Sequence, residues 1–175
     1  PEINISGLSA NSSVGQDIDF ELNDKRKTKI KFEKIENIDL SNVDFVFNCL
    51  PNDQMHKMIN SIATNIRIID LSIDFRLNNP SDYKSWYEFN HASHSKIVEF
   101  HYGLTEFNRD KIKLSKHIAN PGCYATSVLT PLLALVEANL IDFKNIIVDA
   151  KSGYSGAGKT KTKQNLIDEV NENIK

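Results

Sequence analysis

The feature that most constrains the fold is the run V-D-F-V-F-N-C-L at residues 43–50, apolar almost throughout. Strands buried on both faces read this way, and they belong to parallel sheets covered by helices. Pro51-Asn52-Asp53 then breaks the chain, and residues 54–63 carry Met55, Met58, Ile59 and Ile62 on one helical face. A second strand is expected at 66–71. Strand, helix, strand implies a parallel sheet with right-handed crossovers. Upstream, residues 3–9 and 29–35 alternate as strands do. Downstream, residues 78–95 read as an irregular surface excursion, 97–100 as a short strand, 105–112 as a short helix and 117–119 as a strand. A helix is expected over 123–139, a strong strand over 146–150, and a partly exposed helix over 161–175.

The totals exclude several classes. A length of 175 residues suits one domain or a little more. A net charge of -2 gives no reason to expect nucleic acid or an anionic membrane as partner. The longest apolar stretch, 128–136, is interrupted by Thr130 and Pro131 and falls short of a membrane span. Cys49 and Cys123 lie far apart, with no spacing for a metal site or disulfide framework, which fits a reducing, cytoplasmic setting. The chain begins at Pro1 with no signal peptide and reads as a fragment.

Chemistry concentrates at Asn120-Pro121-Gly122-Cys123-Tyr124-Ala125-Thr126, where a turn becomes a helix. Unpaired N–H groups and the positive end of the helix dipole stabilise a thiolate there, and can depress a cysteine pKa from about 8.5 to anywhere between ~3.5 and ~7.5. The other reading is a small apolar side chain buried at a helix start. A second motif, Gly153 to Thr160, satisfies G-x-x-x-x-G-K-[ST] and raises the prospect of a nucleoside triphosphatase. Against it, residues 161–164 are polar throughout, and no later strand ends in an aspartate to hold magnesium. Gly153, Gly156 and Gly158 permit close backbone approach to a ligand, and Lys159 can pair with phosphate; a flexible connection with a solvated lysine is the alternative.

Four segments in this order resemble N-acetyl-gamma-glutamyl-phosphate reductase, within the semialdehyde dehydrogenase superfamily: D-L-S-I-D-F-R-L at 70–77, Y-G-L-T-E at 102–106, N-P-G-C-Y-A-T at 120–126 and S-G-Y-S-G-A-G-K at 152–159. The opening G-L-S-A-N-S-S-V-G-Q is similar to the family just after its second nucleotide-domain strand. The resemblance implies an α/β fold: a partial, Rossmann-like doubly wound parallel sheet over 1–122, binding NADP, and the start of a mixed α/β catalytic and dimerisation domain over 123–175. It implies NADPH-dependent reduction of an acyl phosphate to an aldehyde through a cysteine thioester, the third step of arginine biosynthesis. A sister reductase acting on carrier-bound aminoadipyl phosphate in lysine biosynthesis shares this chemistry.

By match to the family motif, Cys123 is the nucleophile. Asn120 and the N–H groups at the helix start are expected to stabilise the tetrahedral oxyanion, with a turn or capping role the alternative for Asn120. Ser9, Asn11, Ser12 and Ser13 stand where NAD enzymes usually present an acidic residue to the ribose, and their hydroxyl and amide groups favour the 2′-phosphate of NADP, with an ordinary polar loop the alternative. Gly153, Gly156 and Gly158 are placed with the cofactor. Lys159 and Arg76 are placed with substrate, although an ion pair between Asp74 and Arg76 accounts for Arg76 equally well. None of His56, His91, His94, His101 and His117 is expected to be the acid/base group, which the family carries well downstream of its cysteine. The family's glycine-rich turn after its first strand is likewise absent from this sequence, so the segment by itself is expected to be inactive. The resemblance also implies a homo-oligomer, dimer or tetramer, when full length.

Overall fold

In the computed structural model, which describes residues 3–21, 27–62 and 64–153, β1 (Leu8–Ser9), β2 (Asp17–Glu21) and β3 (Lys27–Glu33) form a three-stranded sheet. Its order is β1-β3-β2, with β1 parallel and β2 antiparallel to β3. The strand expected at 3–9 is reduced to its last two residues, because only these find a partner, in Phe32 and Glu33. β2 escaped notice in the sequence because Asp17-Ile18-Asp19-Phe20-Glu21 carries only two apolar residues. Gly15, at φ +82°, supplies the left-handed residue of the turn between β1 and β2.

A second sheet holds β4 (Phe45–Asn48), β5 (Arg67–Asp70), β6 (Phe100–Tyr102) and β7 (His117–Ala119) in the order β4-β5-β7-β6, all parallel. The register aligns Asn48 with Asp70, Asp70 with Ala119 and Ala119 with Tyr102, so the four carboxyl ends form one row. Ile68 packs beneath this sheet with Met55, Ile59, Ile62, Ile66, Phe75, Tyr83, Ile97 and Phe100. Burying each such side chain stabilises by about 1.5–3 kcal/mol. β4 departs from expectation. It lies at the edge of this sheet, and its Phe45 and Phe47 are 46% and 65% exposed among the described residues.

The connections also correct the sequence reading. The helix expected over 54–63 is α1 (Met55–Met58) followed by a 3₁₀ turn, Ile59–Ser61. The Ser61 hydroxyl donates to the Met58 carbonyl, competing with further helix, and the chain is extended at Ile62. Residues 78–95 are not irregular: they hold α2 (Pro80–Tyr87), and α3 (His94–Ile97) follows directly from Ser93. Asn79 accepts the N–H of Ser81 and Pro80 takes a first-turn position, a start signal present in the sequence. Ile97 therefore lies in a helix, and the strand expected at 97–100 begins only at Phe100. α4 (Thr105–Leu114) leads into β7.

The chain divides into two compact units, Pro1–Pro121 and Gly122–Lys175. In the second, α5 (Cys123–Glu137) begins after Gly122, which stays extended at φ -69°, ψ 156°. It ends with Asn139 left-handed at φ 55°, while Leu140 donates to the Leu135 carbonyl and Asn139 to that of Val136. This is the paired closure that satisfies last-turn carbonyls. Residues 146–150 do not form the expected strand. They have no ladder partner among the described residues, and Ile147 is 96% exposed. The helix expected over 161–175 lies outside the described residues.

Candidate functional site

In open parallel sheets, ligands bind outside the carboxyl ends of the strands. Here that row of ends carries a buried polar cluster. Asp70 is fully buried, and its carboxylate accepts from the Asn48 side-chain amide (2.6 Å), the Ser72 N–H (3.0 Å) and the Ser72 hydroxyl (3.0 Å). Burial raises the Asp70 pKa, opposed in part by these three bonds. The cluster fixes how the chain leaves β4 and β5. The spacing Asp70-Leu71-Ser72 is the local signal that could have found it, since aspartate commonly binds the backbone two residues on.

Asp74 takes the next position. Its carboxylate accepts the N–H groups of Asp53 (2.8 Å), Gln54 (3.0 Å) and His56 (3.2 Å), closing the amino end of α1. The ion pair entertained between Asp74 and Arg76 is not among the salt bridges of the described residues. Arg76 instead joins two loops. Its Nε donates to the Asn120 carbonyl (2.8 Å) and its Nη2 to the Leu71 carbonyl (2.8 Å).

Two buried histidines hold the floor of this region. His56 Nδ1 accepts from Ala92 N–H (2.7 Å), so its Nε2 carries the proton and donates to Asp53 (2.7 Å). His91 Nδ1 accepts from Ser93 N–H, and its Nε2 donates to the Asp74 carbonyl (2.8 Å). Their rings stack 4.7 Å apart, and burial pulls His91 down to about 4. Nothing in the sequence distinguished these two from the other histidines.

Asn120 is held on every side. Its N–H donates to the Asp70 carbonyl (2.7 Å), its carbonyl receives Arg76, and its side-chain amide donates to the Pro121 carbonyl (3.1 Å). In the second unit, Cys123 is exposed and is the first residue of α5. The first backbone bond of that helix runs from Thr126 N–H to the Gly122 carbonyl, so the N–H groups of residues 123–125 precede any intrahelical acceptor. The buried alternative for Cys123 does not hold among the described residues.

Of the other residues singled out, Ser9 ends β1, and Ser9, Asn11 and Ser12 are exposed. Gly153 is exposed, with open space where a Cβ would stand. Gly156, Gly158 and Lys159 lie outside the described residues.

Residues 1–115 match the semialdehyde dehydrogenase NAD binding domain, and residues 123–175 match the semialdehyde dehydrogenase dimerisation domain. The chain belongs to the semialdehyde dehydrogenase family. The N-acetyl-gamma-glutamyl-phosphate reductase of Campylobacter jejuni (strain RM1221) is 42% identical over all of this chain and 51% of its own length. A probable chloroplastic N-acetyl-gamma-glutamyl-phosphate reductase of Arabidopsis thaliana is 40% identical over 99% of this chain and 44% of its own. The chain thus spans about half the length of the curated relatives it matches. Aspartate semialdehyde dehydrogenase II from Vibrio cholerae shares the fold, with a TM-score of 0.50 and 18% identity over 75% of this chain and 33% of that one. The phosphate-loop pattern at 153–160 falls inside the dimerisation-domain match. No helix among the described residues is long and apolar enough to cross a membrane.

Proposed function

We propose that this chain carries the nucleophile and part of the cofactor domain of an NADPH-dependent N-acetyl-gamma-glutamyl-phosphate reductase, acting in arginine biosynthesis in the cytoplasm. The observation that carries this reading is Cys123, an exposed thiol on the first residue of a fifteen-residue helix, within a sequence 42% identical along its whole length to a protein named for that reaction. The Cys123 sulfur attacks the carbonyl carbon of the acyl phosphate; the carbon–oxygen bond to phosphate breaks, leaving a thioester and free phosphate. The nicotinamide, when bound, supplies a hydride to the thioester carbon. The resulting thiohemiacetal loses the thiol as its carbon–sulfur bond breaks, releasing N-acetylglutamate 5-semialdehyde. Backbone N–H groups at the start of α5, with Asn120, stabilise the oxyanion at each tetrahedral stage. Such a donor is typically worth about 2.7–4 kcal/mol.

Ser9, Asn11 and Ser12 hold the adenosine ribose, and the lack of a carboxylate in this turn suits NADP over NAD. Gly153, Gly156 and Gly158 allow the backbone to approach the cofactor, and Lys159 and further N–H groups of Arg76 serve substrate phosphate or carboxylate. Neither His56 nor His91 supplies the proton, since both nitrogens of each ring are held in structural bonds. The dimerisation-domain match supports a homo-oligomer of two or four copies.

The test uses the full-length protein in the reverse direction, measuring phosphate-dependent NADP reduction with N-acetylglutamate semialdehyde. Activity is expected, is lost in Cys123→Ser, and is not replaced by activity on aminoadipate semialdehyde. Equal activity in Cys123→Ser overturns the assignment.

A further inference from the structure

Asn120 is followed by proline, which removes one handle from the backbone just beyond β7. The peptide unit joining Asn120 to Pro121 has no N–H, so its carbonyl is the only polar group by which the fold can hold it. Arg76 is what holds it. The guanidinium Nε donates to that carbonyl at 2.8 Å, and Nη2 donates to the Leu71 carbonyl at 2.8 Å, which fixes the planar fork at a second point.

The peptide unit on the other side of Asn120 is held independently. Its N–H donates to the Asp70 carbonyl at 2.7 Å, and Asp70 is itself fully buried, its carboxylate bonded to Asn48 and Ser72. Both planes that meet at the Asn120 Cα are thus fixed, one by the end of β5 and the other by Arg76. The Asn120 side-chain amide donates one N–H to the Pro121 carbonyl at 3.1 Å, and its second N–H has no acceptor among the described residues. A donor of this kind lowers a barrier only when its backbone cannot swing aside as charge develops.

We propose that Arg76 is a positioning residue for the reaction, acting through the Asn120 carbonyl to keep the Asn120 amide in its donating position. The inference rests on the oxyanion role given to Asn120 above and extends it, because it makes a residue 44 positions away part of the same device. Contact between Arg76 and substrate would appear in KM. Positioning is read in kcat, which responds to interactions made only in the transition state.

The test is a double-mutant cycle in the full-length enzyme, measuring phosphate-dependent NADP reduction with N-acetylglutamate semialdehyde at saturating substrates. Asn120→Ala is expected to lower kcat about 100-fold, and Arg76→Met about tenfold. In the Asn120→Ala background, Arg76→Met should lower kcat by less than about twofold, since no amide is left to position. Arg76→Lys should reverse any rise in the KM for phosphate without restoring kcat, because an ammonium keeps the charge and loses the fork. A mere loss of folded enzyme lowers kcat by the same factor in both backgrounds, and equal factors overturn the proposal. An Arg76→Met enzyme altered only in KM overturns it as well, as does full recovery of kcat in Arg76→Lys; in these cases the oxyanion role of Asn120 stands. If Asn120→Ala itself leaves kcat unchanged, that role fails and the positioning role falls with it.

Discussion

The guanidinium of Arg76 reaches the carbonyl oxygen of Asn120 at 2.8 Å, although the two residues are 44 positions apart. A second N–H reaches the Leu71 carbonyl, so one planar group ties the exit of β5 to the exit of β7. Hydrogen bonds involving a charged group are each worth roughly 1.5–3 kcal/mol. Arg76→Met should therefore lower stability by roughly 2–4 kcal/mol in urea unfolding, with the two losses partly overlapping. Arg76→Lys should recover less than half, because an ammonium lacks the planar fork that spans two carbonyls. Full recovery by lysine would show that charge alone matters.

Asp74 makes a prediction of the same kind at the start of α1. Its two oxygens accept three backbone N–H groups from residues 53–56. Asp74→Ala leaves these donors unsatisfied beside a buried helix start and should cost about 2–4 kcal/mol. Asp74→Asn keeps one acceptor oxygen but turns the other into a donor facing N–H groups, so it should cost nearly as much. Urea midpoints for the two variants within about 1 kcal/mol of wild type would contradict this capping role.

These two residues mark where the sequence stops being legible. The strands at 43–50, 66–71 and 117–119 announced themselves through apolar runs bounded by turn formers, and they position the carboxyl edge. Cys123 was legible because Pro121 and Gly122 punctuate the chain immediately before a long apolar helix. The partners of Arg76 were not, because they are backbone carbonyls, and a backbone acceptor has no letter. The paired histidines were hidden likewise: His56 and His91 lie 35 positions apart and meet only once the chain has folded. α2 was misjudged for another reason, since its Ser, Asp and Lys content outweighed the Asn79-Pro80 start signal.

Gly103 tests the close approach between β6 and β7. A Cβ there would stand 2.7 Å from Ile118 Cγ2 and 3.3 Å from the Ala119 carbonyl. Gly103→Ala should therefore destabilise by about 1–3 kcal/mol, as overpacking does. Ile118→Ala removes the colliding methyl, so the double variant should be less destabilised than the two single changes summed. Simple additivity in urea unfolding would mean that the carbonyl contact, not Ile118, sets the cost.

The last prediction concerns acid. His91 is brought down to about 4 by burial, with His56 beside it adding to the effect, while the Asp74 carbonyl and carboxylate pull the other way. An unfolded histidine titrates near 6.5, so between about pH 4 and 6.5 the unfolded chain binds the proton more readily than the fold does. Stability from this residue is therefore complete above about pH 6.5 and is lost as pH falls toward 4. His117, lowered chiefly by burial, acts in the same direction, whereas Asp70, raised chiefly by burial, opposes it, since its folded form holds a proton more tightly. The part of the pH dependence that His91 carries is therefore a fall in unfolding free energy from pH 6.5 to pH 4. His91→Gln keeps a side-chain amide near the Asp74 carbonyl but cannot titrate, so its stability should vary less with pH than that of the parent, even if lower at pH 7. Equal slopes in the two proteins, measured by urea unfolding at half-unit steps, would place the acid-sensitive proton elsewhere.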